Sequence, residues 1–213
     1  MKFYLTTSKY ITISRRRTMS KFVPLSIIIV CVIAMSNQAM TKCLKGDCQN
    51  GEGIYQWDSG VKYDGQWKDG LMEGNGTYYF KNGDVYSGEF KKDMMHGKGS
   101  ISWKNGNKYE GTFKEDKMDG SGTYYFQNGD TYNGDFKEGK MEGKGTMSWK
   151  NGNKYEGTFR NGNMEGKGIY YFKSGDRYEG EFSEDNIHGK GKYFHTSGAV
   201  TEGRFEKGKY MGK

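Results

Sequence analysis

The side chains that could carry chemistry are few in this 213-residue chain, and their spacing argues against catalysis. Of the three histidines, His96 and His188 hold equivalent places in a repeating pattern, four units apart. At the spacing of neighbouring strands that is roughly 38 Å, too far for joint action. Other units put Glu73, Asp119, Glu142 or Glu165 at the same place, which reads as a solvent-facing loop position. His195 stands apart from both. No nucleophile sits in a pattern with a base, as acyl or glycosyl transfer would require. Asp84, Asp130 and Asp176 follow turns in every second unit. Calcium-binding β-rolls need Gly-Gly-x-Gly-x-Asp repeats, which the chain lacks, so these read as turn residues. Met72, Met95, Met118, Met141 and Met164 recur in phase. A soft-metal stripe is one reading, but flexible thioethers filling irregular space beneath loops is the better one. No enzyme activity, catalytic residue, metal site or cofactor is expected.

Cys43 and Cys48 form an even pair. Two thiols without nearby histidines make a weak zinc site. In an exported chain such a pair is expected to be a disulfide. Export is expected from residues 1–39, where Lys2, Lys9, Arg15, Arg16, Arg17 and Lys21 precede a mostly apolar run over 22–35. That run suits a signal-peptide core and is short for a membrane span of ~20 residues. Met19 offers a second start, and the third cysteine, Cys31, would leave with the leader. The mature protein is then periplasmic, secreted or held at the cell surface; an uncleaved signal anchor in the membrane is the alternative. The leader also explains the charge. The formal net charge is +7, but without the six leader bases 27 basic residues face 26 acidic ones, leaving about +1. The array is therefore not read as a nucleic-acid binder.

The frame for all these residues is a 23-residue period. Tyr63, Tyr86, Tyr109, Tyr132, Tyr155 and Tyr178 keep it; so do Trp67, Phe90, Phe113, Phe136, Phe159 and Phe182, with a glycine midway between each pair. A Gly-x-Gly ladder runs beside them, from Gly51 and Gly53 to Gly189 and Gly191. A fixed period in the twenties means stacked units, each unable to bury its own face alone. After the leader the chain has only two Leu, four Ile and three Val against 15 Tyr, 10 Phe and 4 Trp. A thick aliphatic core is unavailable, but large rings can close one face of a single sheet.

Alternating aromatic segments around Asn82-Gly83, Asn105-Gly106, Asn128-Gly129 and Asn151-Gly152 predict β-hairpins. A two-residue turn at Asn82-Gly83 places Tyr79 opposite Tyr86; a bulged three-residue turn would shift that parity. The longer connection is expected from about 91 to 97. The fold class is thus all-β: an elongated, single-layer antiparallel meander of about seven 23-residue hairpins. Fourteen strands at ~4.8 Å would span roughly 65–70 Å. A superperiod of 46 lies on top, since Trp57, Trp103 and Trp149 alternate with Phe80, Phe126 and Phe172. Duplication of a two-repeat block accounts for it more simply than ligand spacing.

The motif Tyr86-Ser87-Gly88-Glu89-Phe90 with Gly97-Lys98-Gly99, and Tyr178-Glu179-Gly180-Glu181-Phe182 with Gly189-Lys190-Gly191, resembles the MORN repeat family (membrane occupation and recognition nexus). The resemblance covers nearly all of 51–213, with 40–50 as a capping half-repeat. Thr201 departs from it, standing where the last unit should have Tyr. It implies antiparallel hairpins with an aromatic-lined groove. Members also occur beside lipid-kinase and methyltransferase domains; neither is expected in the residues 51–213 that the repeats fill.

Two surfaces compete as the expected binding site of a non-enzymatic scaffold. The first is a groove lined by Tyr63, Trp67, Tyr86, Phe90, Tyr109, Phe113, Tyr132, Phe136, Tyr155, Phe159, Tyr178 and Phe182, taking a protein, peptide or glycan. The second is a basic ladder of Lys68, Lys91, Lys114, Lys137 and Arg160 meeting anionic phospholipid, at about 1 kcal/mol per residue. The sequence leaves the oligomeric state open.

Overall fold

A computed structural model describes residues 42–213. The leader, with Met19 and Cys31, lies outside the described residues. The chain forms β1 (Lys42–Gly46), β2 (Gly51–Gln56), β3 (Lys62–Lys68), β4 (Leu71–Tyr79), β5 (Val85–Lys91), β6 (Met94–Ser102), β7 (Lys108–Lys114), β8 (Lys117–Tyr125), β9 (Thr131–Lys137), β10 (Lys140–Ser148), β11 (Lys154–Arg160), β12 (Asn163–Tyr171), β13 (Arg177–Ser183), β14 (Asn186–Phe194), β15 (Val200–Glu206) and β16 (Lys209–Gly212). All sixteen belong to one antiparallel sheet in chain order. The core fourteen of the expected meander gain an extra strand at each end.

Two turn types alternate, and of the two loop lengths left open at Asn-Gly the three-residue one forms. The Asn-Gly connections are three-residue loops. Phe80 N–H donates to Asp84 O at 2.9 Å and Gly83 N–H donates to Phe80 O at 3.0 Å. Only the glycine, at φ +92°, is left-handed. This is a type I turn closed by a left-handed residue, the standard three-residue hairpin. Asn82 holds it, accepting the Asp84 N–H at 3.0 Å and donating its amide to Asp84 Oδ2 at 2.6 Å. The true two-residue turns lie at the other edge, within the stretch expected to be the longer connection. Lys92 and Asp93 both have positive φ, 51° and 69°. That geometry costs a non-glycine residue about 1–2 kcal/mol each. The preceding unit offsets it: Glu73 Oε2 accepts the Lys92 N–H at 2.9 Å, and Met72 O accepts the Asp93 N–H at 3.0 Å.

The extra loop residue also changes the parity. Tyr86 pairs with Tyr78, and Tyr79 with Val85, instead of Tyr79 with Tyr86. Tyr78 therefore turns inward and Tyr79 outward.

One continuous row of glycines crosses the sheet from β2 to β15. Gly53 pairs with Gly65, Gly65 with Gly76, Gly76 with Gly88 and Gly88 with Gly99, and the succession continues to Gly191 and Gly203. The reason is close approach. A Cβ on Gly111 would run into the Tyr109 hydroxyl and lie 2.6 Å from Gly122 Cα. Each ladder tyrosine lies over two bare glycine backbones and donates its hydroxyl to a backbone oxygen three residues on, as Tyr109 does to Thr112 O at 3.0 Å. The core occupies this one face of the sheet.

Candidate functional site

The twelve rings expected to line a groove form that core instead. The six ladder tyrosines are 0% exposed, and Trp67 and the five phenylalanines are buried as well. Each tyrosine stands edge-on between the aromatic of its own unit and that of the next. Tyr63 lies 5.1 Å from Trp67 and 5.0 Å from Phe90; Tyr86 lies 5.0 Å from Phe90 and 4.9 Å from Phe113. The zigzag runs unbroken to Tyr178 and Phe205. Such edge contacts add about 0.5–1.5 kcal/mol per pair to the burial of the rings. Burial pushes the phenol pKa up, to about 12 at Tyr109 and Tyr178 and higher at Tyr63, Tyr86, Tyr132 and Tyr155. The aromatic groove is thus corrected: with no aliphatic layer to cover it, the sheet spends its rings on closing its own face.

The ladder methionines fill the same core beneath the two-residue turns; Met72, Met95, Met141 and Met164 are buried and Met118 partly so. Cys43 and Cys48 are joined in a disulfide, with Cα atoms 5.9 Å apart, fastening β1 to the loop that leads into β2. Lys68, Lys91, Lys114, Lys137 and Arg160 are all exposed, each beside a two-residue turn along one edge. Acids interrupt that row. Glu138 is bonded to Lys117, and this contact, with Lys114 and Lys137 nearby, holds its carboxyl below the usual range.

Asp84, Asp130 and Asp176 do more than shape their own loops. Asp84 Oδ1 accepts the N–H of Lys104 at 2.8 Å, Asp130 that of Lys150 at 2.8 Å, and Asp176 that of Thr196 at 2.9 Å. In the alternating units Asn107 and Asn153 accept from Gln127 and Lys173. Each loop is thereby fastened to the next, twenty residues on. At the opposite edge Asp93, Asp116 and Asp185 accept the N–H groups of Met72, Met95 and Met164, each at 2.8 Å. Burial raises the Asp116 and Asp185 carboxyls, against the opposing pull of these backbone bonds. The position shared by His96 and His188 has a similar role where it is acidic, since Glu142 and Glu165 accept N–H groups of the next turn.

The other face is open, and it holds what the sequence reading missed. Over the glycine row lies a groove of about 710 Å³ lined by Glu52, Asp64, Gln66, Asn75, Thr77, Ser87, Lys98, Ser100 and Glu110. A second, of about 690 Å³, lies over the C-terminal end of the row and includes Lys167, Lys190, Lys192, Arg204 and Lys213 with Glu179, Glu181 and Glu202. The first is biased to acids, the second to bases. Along one side runs a column with a four-strand period. Tyr79 is followed by Val85, Ser102 and Lys108, then Tyr125 by Thr131, Ser148 and Lys154, then Tyr171. Tyr79 and Tyr125 are 36% and 38% exposed. Cations flank the rings: Lys62 Nζ lies 4.1 Å from the centre of Tyr79, Lys154 Nζ 4.4 Å from Tyr171, and the Arg177 guanidinium 4.5 Å from Phe194. Glu110 and Glu156 accept the hydroxyls of Tyr125 and Tyr171 and pair with Lys108 and Lys154. The signal for this column was the 46-residue spacing of Tyr79, Tyr125 and Tyr171, read with the three-residue loop's parity.

Comparisons with known proteins complete the picture. No curated protein matches this chain. Among solved structures, the TCP domain of SAS-4 from Drosophila melanogaster, in complex with a proline-rich motif of Ana2, is 12% identical with a TM-score of 0.48, covering 86% of this chain and 97% of that one. The TCP10 domain of Danio rerio CPAP is 12% identical with a TM-score of 0.26, covering 70% and 81%. A virginiamycin B lyase from Staphylococcus aureus is 15% identical with a TM-score of 0.19, covering 76% and 58%. Overlap this loose assigns no ligand. The MORN repeat, by contrast, matches over 47–62, 63–85, 86–108, 109–131, 132–154, 155–177 and 178–200. With Tyr, Gly and Phe recurring in those units and meeting in one ring-over-glycine core, the chain belongs to the MORN repeat family.

Proposed function

We propose that this protein is an exported, non-enzymatic scaffold that holds a polypeptide partner along the open face of its sheet. The observation that carries the reading is the division of labour between the two faces. The ring ladder is consumed in the core, and inter-repeat hydrogen bonds brace both edges. What remains are two polar grooves over the glycine row, one toward each end of the sheet, with exposed rings along one side. Repeat arrays commonly bind along such extended surfaces. A photo-crosslinking residue at Ser100, in the groove, should trap a partner from the exported compartment. The same residue at Lys114, on the basic edge, should not; trapping at Lys114 alone contradicts the proposal.

Anionic lipid is the second reading, favoured by the exposed alignment of Lys68, Lys91, Lys114, Lys137 and Arg160. Sedimentation with vesicles of rising phosphatidylserine content tests it. Salt-sensitive binding, lost on replacing Lys91, Lys114 and Lys137 with Gln, would establish the lipid surface in place of the groove.

A further inference from the structure

We infer that the occupant of the open face is an extended proline-rich polypeptide in the polyproline II conformation, running across the strands along the Tyr79, Tyr125 and Tyr171 column. The inference rests on the open-face reading above and names its partner class.

Ring spacing is the first argument. Successive column tyrosines are four strands apart, about 19 Å. Six residues of polyproline II rise about 19 Å and complete two full turns, so the same side of the peptide meets each ring. Between rings the column offers a β-branched residue, a serine and a lysine, Val85, Ser102 and Lys108 and then Thr131, Ser148 and Lys154; the first two of each set are small enough to leave room for a pyrrolidine, and each lysine is drawn aside to Glu110 or Glu156. Aromatic-lined surfaces are how proline-rich segments are commonly seated.

The backbone gives the second argument. A peptide lying on a sheet face finds no ladder of N–H and C=O groups to pair with. A β-strand would leave its own groups unpaired there, whereas polyproline II needs no such partners. The Glu110 and Glu156 carboxylates beside the rings already accept Tyr125 and Tyr171 and pair with lysines. They are less available to sugar hydroxyls, which disfavours a glycan.

Charge sets the third. Glu52 and Asp64 bias one end of the face to negative, and Lys190, Arg204 and Lys213 bias the other to positive. The complementary partner is basic at one end and acidic at the other.

The test uses a fluorescent peptide of about eighteen residues, proline at every third position, with lysines in its first third and glutamates in its last. Fluorescence anisotropy with the intact repeat protein should show saturable binding that weakens as salt rises. Replacing the prolines by glycine and serine, or placing lysines or glutamates at both ends, should weaken it at least tenfold. Replacing Tyr79, Tyr125 and Tyr171 together by Ser should do the same with an unchanged melting temperature; if the triple variant melts early, Tyr125→Ser alone serves, with a smaller loss. Absence of binding, equal binding by the glycine-serine peptide, or full binding by the tyrosine variants overturns the inference. So does binding of a β-glucan oligosaccharide in place of the peptide. A partner trapped at Ser100 that has no proline-rich segment would remove this inference while leaving the scaffold proposal intact.

Discussion

At the residue scale the deciding pair is a tyrosine and the two glycines beneath it. Gly111 leaves no room for a methyl group against Tyr109 and Gly122, because both backbones sit in contact. Gly111→Ala is expected to cost at least ~1–3 kcal/mol, the usual range for overpacking. Glu110→Ala, one residue away on the open face, should cost far less, since it loses only solvent-exposed contacts, the ion pair with Lys108 and the hydrogen bond from the Tyr125 hydroxyl. Urea unfolding of both variants checks the contrast, and similar midpoints would contradict the packing. The tyrosines also set an alkaline limit. Above about pH 10 an unfolded chain gives up phenolic protons that the buried rings keep. The folded state then binds more protons than the unfolded one, so stability falls as pH rises. It should be undiminished by this cause below about pH 10 and decline from there toward the raised folded values near 12 at Tyr109 and Tyr178. Melting temperatures measured from pH 8 to 12, beside tyrosinate absorbance, would show ionisation and unfolding rising together.

At the element scale, turns decide which residues face where. Period, ring ladder and hairpin order were all legible in the sequence, because repetition multiplies a weak local pattern. The face assignment was not, because it hinged on one loop residue: Asn82-Gly83 suits both a two- and a three-residue loop. The three-residue geometry recurs at Trp57–Val61 and His195–Ala199, where Val61 and Ala199 have no side-chain acceptor, so the glycine in the left-handed place is what these loops share. The burial of the rings was equally hidden. Sequence gives an amphipathic aromatic face, but not whether its rings cover one another. The Asp and Asn staples give a sharp test. Asp130→Ala leaves the Lys150 N–H and the Asn128 amide without their acceptor and should cost about 1–3 kcal/mol. Asp130→Asn should be far milder, since Asn107 and Asn153 already fill the role in neighbouring units. Equal losses in thermal melts would show that the carboxylate charge matters more than the acceptor geometry.

At the scale of the whole molecule, the sheet is a one-dimensional stack. Each strand touches its neighbours in sequence, and each ring bridges one unit to the next. Removing residues 86–108, one full unit, should leave a folded, shorter array with lower stability, since the flanking ring and loop contacts can re-form in register. Far-UV circular dichroism and urea unfolding would report it, and an unfolded product would mean that the units are not interchangeable. The array ends are treated differently from its middle. The disulfide fastens β1, whereas β16 leaves Tyr210 and Met211 exposed. Everything proposed about binding depends on one claim: the ladder rings form the core and the column rings face solvent. Tyrosine nitration of the native protein, mapped by mass spectrometry, tests it most directly. Tyr79 and Tyr125 should be modified, while Tyr63, Tyr86, Tyr109, Tyr132, Tyr155 and Tyr178 stay protected until the protein unfolds. Nitration of the ladder tyrosines at the rate of Tyr79 in the folded protein would contradict the account and return the binding surface to the aromatic face.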